Sequence, residues 1–277
     1  MSDKVVLITG TSSGIGLAAA VSAARAGFTT VATLRDPARA DALRKAAELA
    51  GVELDIRRLD VTDAASVEEC VAGVVADHGR LDAVVNNAGA GHVGTIENES
   101  VDEVRQVMEV NFFGVVTVTK AVMPHLRATG GRLLTVTSVG GVIGQPFNEA
   151  YCAAKFAAEG FMESLAPVAA TAGVTVAVIE PGAVASEFVA NVGIRESAVA
   201  EAGVYGPALA NYLGRTRGAF ASAQTSEAVG EAITEALTTD RPAFRIQTSD
   251  AARTFVGAKL ADLDGSLVQT ATSAWVA

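Results

Sequence analysis

Residues 138 to 155, Ser138-Val-Gly-Gly-Val-Ile-Gly-Gln-Pro-Phe-Asn-Glu-Ala-Tyr151-Cys-Ala-Ala-Lys155, bring a hydroxyl, a phenol and an ammonium into one short span of chain. The Ala, Glu, Phe, Met and Leu content of residues 150–172 predicts a helix, on which Tyr151 and Lys155 sit four apart and project from one face. A free phenol loses its proton only near pH ~10, and an ammonium beside it favours the phenolate, so Lys155 is expected to lower that value. Ser138 closes an apolar strand, 132–138, and the glycines behind it let the chain turn back so that its hydroxyl can approach the phenol. Such a trio could move a proton to or from one oxygen. Taken alone, a Tyr-x-x-x-Lys pair could also be an amphipathic helix face with a snorkelling lysine. Its company elsewhere in the chain decides.

The first companion is Gly10-Thr-Ser12-Ser13-Gly14-Ile15-Gly16, which follows an apolar strand and opens a helix. A dinucleotide's pyrophosphate would there meet backbone N–H groups and the positive helix end. The spacing is Gly-x-x-x-Gly-x-Gly, a variant of the broad dinucleotide fingerprint with the same physical uses for its glycines. The second strand ends Thr33-Leu34-Arg35-Asp36. An arginine at that place pairs with a 2′-phosphate, and a carboxylate accepts bonds from a ribose 2′-hydroxyl. Arg35 with the Ser12 hydroxyl favours NADP(H). Asp36 keeps NAD(H) as the alternative, unless it caps the helix that Pro37 opens.

The elements that must position these groups follow a steady rhythm. Strands are predicted at 4–9, 28–34, 52–59, 81–85, 132–138, 174–180 and 243–247. Between them lie helices from the glycine turn to 26, at 37–50, 63–78, 100–128, 150–172 and 226–238. The fourth of these helices is expected to break near Asn111 and to bend at Pro124. This alternation predicts an α/β fold, a doubly wound parallel sheet of Rossmann type, in a single domain covering residues 1–277. Residues 183–224 interrupt the rhythm and read as a helical substrate-lid insertion of short helices and loops; 249–277 reads as a weakly helical tail. Within the insertion Phe188, Val189, Val192 and Ile194, then Tyr205, Leu209, Tyr212 and Leu213, either line an apolar substrate or fill the lid's own core. Arg195 or Arg215 could instead read a carboxylate.

Composition excludes several classes. A formal charge of −10 opposes binding to nucleic acid. No apolar run reaches the roughly 20 residues of a membrane span. No secretory signal pattern is visible, so a cytoplasmic protein is expected. Cys70 and Cys152 read as free thiols. His78, His92 and His125 show no metal-ligand spacing and read as surface or cap residues, and no metal is expected.

From end to end the chain resembles the classical short-chain dehydrogenase/reductases. The resemblance rests on Thr9-Gly10-x-x-x-Gly14-x-Gly16, on Asn86-Asn87-Ala88-Gly89, and on the order of Asn111, Ser138, Tyr151 and Lys155. Asp60 after strand three and Pro181-Gly182-x-Val184-x-Ser186 complete it, with Ser186 where the family often has Thr. Within the family, Ala32 to Asp36, Ser138-Val-Gly-Gly and Pro146 to Gly160 resemble the branch of 17-beta-hydroxysteroid and photoreceptor retinol dehydrogenases, which prefers NADP(H). The insertion has no counterpart of that branch's steroid-contacting histidine.

This resemblance implies a hydride transfer between a nicotinamide and a carbonyl or alcohol carbon of a small hydrophobic, steroid-like or retinoid-like molecule. It implies Tyr151 as general acid/base, Ser138 holding the substrate oxygen, Lys155 on the nicotinamide ribose, and Asn111 holding the helix break and a water. It implies cofactor contacts from Gly10, Ser12, Ser13, Gly14, Ile15, Gly16, Arg35, Asp60 and Val61. Asn87, Ala88, Gly89, Tyr151, Lys155, Pro181, Gly182, Val184 and Ser186 would contribute the rest. It also implies a homodimer or homotetramer. Two other readings compete: an NAD-dependent alcohol dehydrogenase, and a non-catalytic NADP(H)-binding sensor, which the presence of both Tyr151 and Lys155 argues against.

Overall fold

The structure, a computed structural model, describes residues 4–185, 197–221 and 223–277. Its central strands read as near-continuous apolar runs, because helices cover both faces and leave no side for alternation. Every residue of β1 (Val5–Thr9) is buried, as are all but the first of β2 (Thr29–Leu34). The short edge strand β3 (Asp55–Arg58) carries DIRR instead and is only half-buried. β4 (Ala83–Asn86), β5 (Arg132–Val136), β6 (Thr175–Glu180) and the last short strand, β9 (Arg245–Gln247), complete a seven-stranded parallel sheet in the order β3-β2-β1-β4-β5-β6-β9. Two-residue strands β7 (Val184–Ala185) and β8 (Gln224–Thr225) pair separately.

The chain runs outward through β1, β2 and β3, then returns to place β4 on the other side of β1. The carboxyl ends of β1 and β4 thus flank the crevice where the strand order reverses, the usual ligand position in such a sheet. On one face, α1 (Gly14–Arg25) packs its alanines against the helix Ser226–Thr238; a Cβ on Gly230 would stand 2.8 Å from the Ala18 backbone. On the other face lie α3 (Ala64–His78), α5 (Gly114–Thr129) and α6 (Glu149–Ala170), whose Val67, Val71, Val118, Val122 and Met162 meet the sheet in one apolar core.

Several expected boundaries shift for local reasons. The second predicted helix divides into a turn at Pro37–Arg39 and α2 (Asp41–Ala50), because the Asp36 carboxylate accepts from Ala38 N (3.0 Å) and caps the turn on its own. Strand three starts at Asp55 rather than at 52, and strand five stops at Val136 rather than at 138. Pro167 sits inside α6 without ending it.

The long helical region does change at Asn111. Ser100 and Glu103 form a capping box for α4 (Val101–Met108), Glu109–Phe113 form a π-turn, and α5 follows without a gap. The continuous helical run Val101–Thr129 is long and apolar enough to cross a bilayer by length and composition, although charged and polar residues interrupt it. Here its Val107, Val115, Val118, Val122 and Leu126 are buried in the fold.

In the insertion, Ala198–Glu201 is one of the expected short helices, whereas Gly206–Ala221 runs for sixteen residues; Phe188, Val189, Val192, Ile194 and Arg195 lie outside the described residues. The tail is more ordered than its sequence predicts, with helices Asp250–Ala261 and Ser266–Ser273.

Candidate active site

The glycine turn is built by close backbone approach. Gly10 has φ 70°, and a Cβ there would lie 2.7 Å from Ala88 Cα. A Cβ on Gly16 would lie 2.2 Å from Gly10 O and 2.4 Å from Asn87 Nδ2, so no other residue fits. The Thr9 hydroxyl accepts from both Asn87 N and Ala88 N (3.0 Å each), and Asn87 Nδ2 donates to Thr9 O (2.9 Å) and Gly10 O (3.0 Å). These bonds lock the two loops beyond β1 and β4 together. Ser13 is the N-cap of α1 but makes no side-chain cap bond. A helix start with an uncommitted cap and a cradle too tight for a Cβ suits a pyrophosphate.

At the end of β2, Arg35 and Asp36 are both exposed, and the Asp36 carboxylate is engaged by Ala38 N. Asp60 uses one oxygen on Thr62, taking bonds from its N (3.0 Å) and Oγ1 (2.8 Å). Val61 is buried, touching the space a Cβ on Gly114 would need. Past β6, Pro181 O accepts from Val139 N (3.0 Å), which ties the Pro181-Gly182 turn to the segment after Ser138. Val184 is buried in its two-residue strand. Ser186 lies outside the described residues.

Ser138, Tyr151 and Lys155 do come together. The Ser138 hydroxyl accepts from Gly140 N (2.9 Å) and hydrogen-bonds the Tyr151 phenol. Gly140 packs beside both: a Cβ there would lie 3.3 Å from Ser138 Oγ and from Tyr151 Cε1. Lys155 is buried, donates to Val136 O (3.1 Å), and places its ammonium 5.8 Å from the centre of the Tyr151 ring. Asn111 is fully buried inside the π-turn; its amide donates to Val107 O (3.0 Å) and Ala90 O (2.9 Å), and its oxygen accepts from Ala90 N (3.2 Å). Gly89 lies between Asn111 and Lys155, since a Cβ there would be 2.9 Å from Asn111 Oδ1 and 3.4 Å from Lys155 Nζ.

One electrostatic expectation is corrected. The Tyr151 phenol is pushed up to about 12, not down, because its burial outweighs the hydrogen bond from Ser138. Burial likewise pulls Lys155 down to about 8, against the upward pull of Glu159. At neutral pH the phenol therefore holds its proton beside a lysine that is still mostly charged, an arrangement able to donate a proton to an oxygen brought near.

Other expectations resolve differently. Leu209 and Tyr212 bury against Phe147, with Tyr212 Oη accepting from Asn148 Nδ2 (2.6 Å), so these two fill the lid's own core. Arg215 stacks over the Trp275 ring at 4.8 Å, an engagement that weighs against its reading a carboxylate. His78 pairs with Asp55 (2.9 Å) and His92 with Glu99 (2.9 Å), rather than standing at the surface as caps. Cys70 and Cys152 are buried and unbridged, and burial pushes each thiol up to about 11.

Two features escaped the sequence. Phe147 has φ 61°, a left-handed conformation that a bulky residue adopts at a cost, just before α6. Beneath Lys155, Glu159 and Glu180 are both buried against Arg245. The available signal was the fourth-residue spacing of Glu159 from Lys155 on a helix that had to bury that face.

A short chain dehydrogenase family model matches residues 4–197. The chain belongs to the short-chain dehydrogenase family. Human retinol dehydrogenase 8 is 36% identical over 275 residues, covering 95% of this chain and 87% of the relative. Human 17-beta-hydroxysteroid dehydrogenase type 1 is 37% identical over 281 residues, covering 98% and 85%. An alcohol dehydrogenase from the archaeon Thermococcus sibiricus, complexed with 5-hydroxy-NADP, superposes with a TM-score of 0.72 at 28% identity, over 88% of this chain and 95% of that one. A Burkholderia phymatum short-chain dehydrogenase/reductase in complex with NAD shares the fold, with a TM-score of 0.81 at 23% identity over 95% and 96%. This short-chain dehydrogenase is thus an oxidoreductase of CH–OH groups that uses a nicotinamide cofactor, close to the retinol and hydroxysteroid dehydrogenase branch.

Proposed function

We propose that this enzyme reduces a ketone or aldehyde on a small hydrophobic molecule, steroid-like or retinoid-like, with NADP(H). The observation that carries the reading is the meeting of Ser138, Tyr151 and Lys155 at the end of β5, with a phenol that keeps its proton at neutral pH. When bound, the cofactor supplies the hydride. Tyr151 then gives its proton to the oxygen of the reduced carbon, and Ser138, whose hydroxyl already turns toward the phenol, holds that oxygen in place. Lys155, charged below about pH 8, stabilises the phenolate left behind and would reach the nicotinamide ribose. Asn111 fixes the Gly89–Ala90 segment against the π-turn and so keeps the floor of the nicotinamide site in register.

The preference for NADP(H) rests on a division of labour at the end of β2. Asp36 commits one carboxylate oxygen to Ala38 N, whereas Arg35 is exposed, next in sequence to a buried strand end, and suited to a phosphate. Titration of the protein with NADPH and NADH, followed by nicotinamide fluorescence, tests it. NADPH should bind more tightly, and Arg35→Ala should weaken it by roughly 10- to 100-fold, the worth of a charge-assisted hydrogen bond, while leaving NADH unchanged. Equal affinities insensitive to the substitution would refute the assignment and favour NAD-dependent alcohol oxidation. A homodimer is part of the same reading: Val101, Phe113, Phe156 and Val168 stay exposed on the helices by which relatives of this family pair.

A further inference from the structure

The helix that carries Tyr151 and Lys155 continues the same stripe to Glu159, one turn further on. Lys155 lands on the carbonyl of Val136, and Glu159 lands on the hydroxyl of the next residue: Thr137 Oγ1 stands 2.5 Å from Glu159 Oε1. Thr137 in turn precedes Ser138. Glu159 therefore braces the strand end that holds both the lysine anchor and the serine. The turn after Ser138 closes over it, since a Cβ on Gly141 would lie 2.9 Å from Glu159 Cγ and 3.1 Å from Lys155 O.

The hydrogen-bond geometry indicates where a proton lies. Thr137 Oγ1 is also 3.0 Å from Ile179 O, a carbonyl that can only accept. One hydroxyl proton cannot fully serve both oxygens, so the pair is satisfied when Glu159 is protonated and donates to Thr137, which donates onward to Ile179. The charges around it argue the same way. Arg245 Nε lies 3.4 Å from Glu159 and 3.3 Å from Glu180, and the Arg245 fork reaches Glu163 at 2.9 Å. Gln247 donates to Glu180 (2.8 Å). Three carboxylates thus share one guanidinium, with Lys155 the other cation facing Glu159. Burial and Glu180 push Glu159 up to about 7, against Thr137 and Arg245.

We propose that Glu159 is a positioning residue of the proton-transfer site: its carboxyl braces Thr137, and its ionisation supplies the negative charge that keeps Lys155 protonated. The proposal rests on the reading of Tyr151 and Lys155 as proton donor and supporting cation. An ionised Glu159 then opposes the loss of the Lys155 proton, one helical turn away.

Glu159→Gln tests this, because the amide can still donate to Thr137 and only the charge is removed. The chain has five lysines, so a ¹³C titration of the lysine ε-carbons can isolate Lys155 as the resonance missing in Lys155→Arg. In Glu159→Gln that resonance should titrate about one pH unit lower, and the alkaline limb of kcat/KM for ketone reduction should move down by the same amount. The buried carboxylic-acid C=O band in infrared spectra should disappear. Glu163→Gln, at the exposed arm of Arg245, should move neither titration nor limb. If Glu159→Gln does not fold, Glu180→Gln serves instead: removing its charge lets Glu159 ionise at lower pH, and the infrared band should bleach correspondingly earlier in a pH titration. A Lys155 titration unchanged in Glu159→Gln, or a band unmoved in Glu180→Gln, overturns the proposal. A shifted Lys155 resonance without a shifted rate limb would overturn instead the proton-transfer reading beneath it.

Discussion

At the scale of single residues, the chemistry turns on which protons stay where. On the proposed reading, a buried phenol pushed up to about 12 is a donor in waiting and a poor base. Tyr151→Phe should lower turnover by roughly 10²- to 10⁴-fold, the contribution of one positioned acid, with NADPH affinity and circular dichroism unchanged. Turnover within tenfold of the parent would move the acid elsewhere. Much at this scale was legible in the sequence. Tyr151 and Lys155 share a helix, and helix spacing alone puts them on one face; Ser138 follows, two residues on, a strand whose neighbours had to bury. What spacing could not supply was the sign of the Tyr151 shift. Proximity of a cation is visible in the chain, whereas desolvation depends on everything packed around the phenol.

At the scale of elements, the site depends on two loops held at contact distance. The Thr9 hydroxyl and the Asn87 amide make four bonds between the ends of β1 and β4, and Gly16 leaves room for them. Gly16→Ala would drive a methyl into Gly10 O and Asn87 Nδ2. It should cost about 1–3 kcal/mol of stability and abolish dinucleotide binding together, which a melting curve with and without NADPH reads directly. A variant that melts normally and is still stabilised by NADPH would show that the cradle opens without loss. The glycine pattern was readable because only close backbone approach requires it. The π-turn at Glu109–Phe113 was foreseen only as a break near Asn111: the sequence shows a polar residue in an apolar helix, but the widened turn exists because that amide finds Ala90 across the sheet end. Likewise Asp36 could have served ribose or cap from the sequence, and the structure adds a cap contact from Ala38 N to one of its carboxylate oxygens.

At the scale of the whole molecule, the least legible part was the insertion and its partner, the tail. Neither has strong periodicity, and the described residues of each make contacts with residues far along the chain. Tyr205 Oη donates to Glu97 (2.7 Å) and Asn98 donates to Glu201 O (2.8 Å), fastening the insertion to the loop after β4. On its other side Arg215 lies over Trp275, Trp275 stacks on Phe255 at 5.7 Å, and Asn211 donates to Ala277 O (2.7 Å). The helix Gly206–Ala221 is thus pinned between two distant segments, and its buried side, Leu209 and Tyr212, meets Phe147 at the entrance to α6. On the reading that this insertion covers the substrate, Trp275→Ala should release one side of it. KM for a bulky apolar ketone should then rise about fivefold, the loss of one partly desolvated cation–π contact, while kcat for a small ketone and the affinity for NADPH hold. Trp275→Phe, which keeps an aromatic face under Arg215, should recover most of the loss. Equal KM values for the parent and both variants would mean that the pinned helix serves the fold alone, and that the walls of the substrate site lie elsewhere in the insertion.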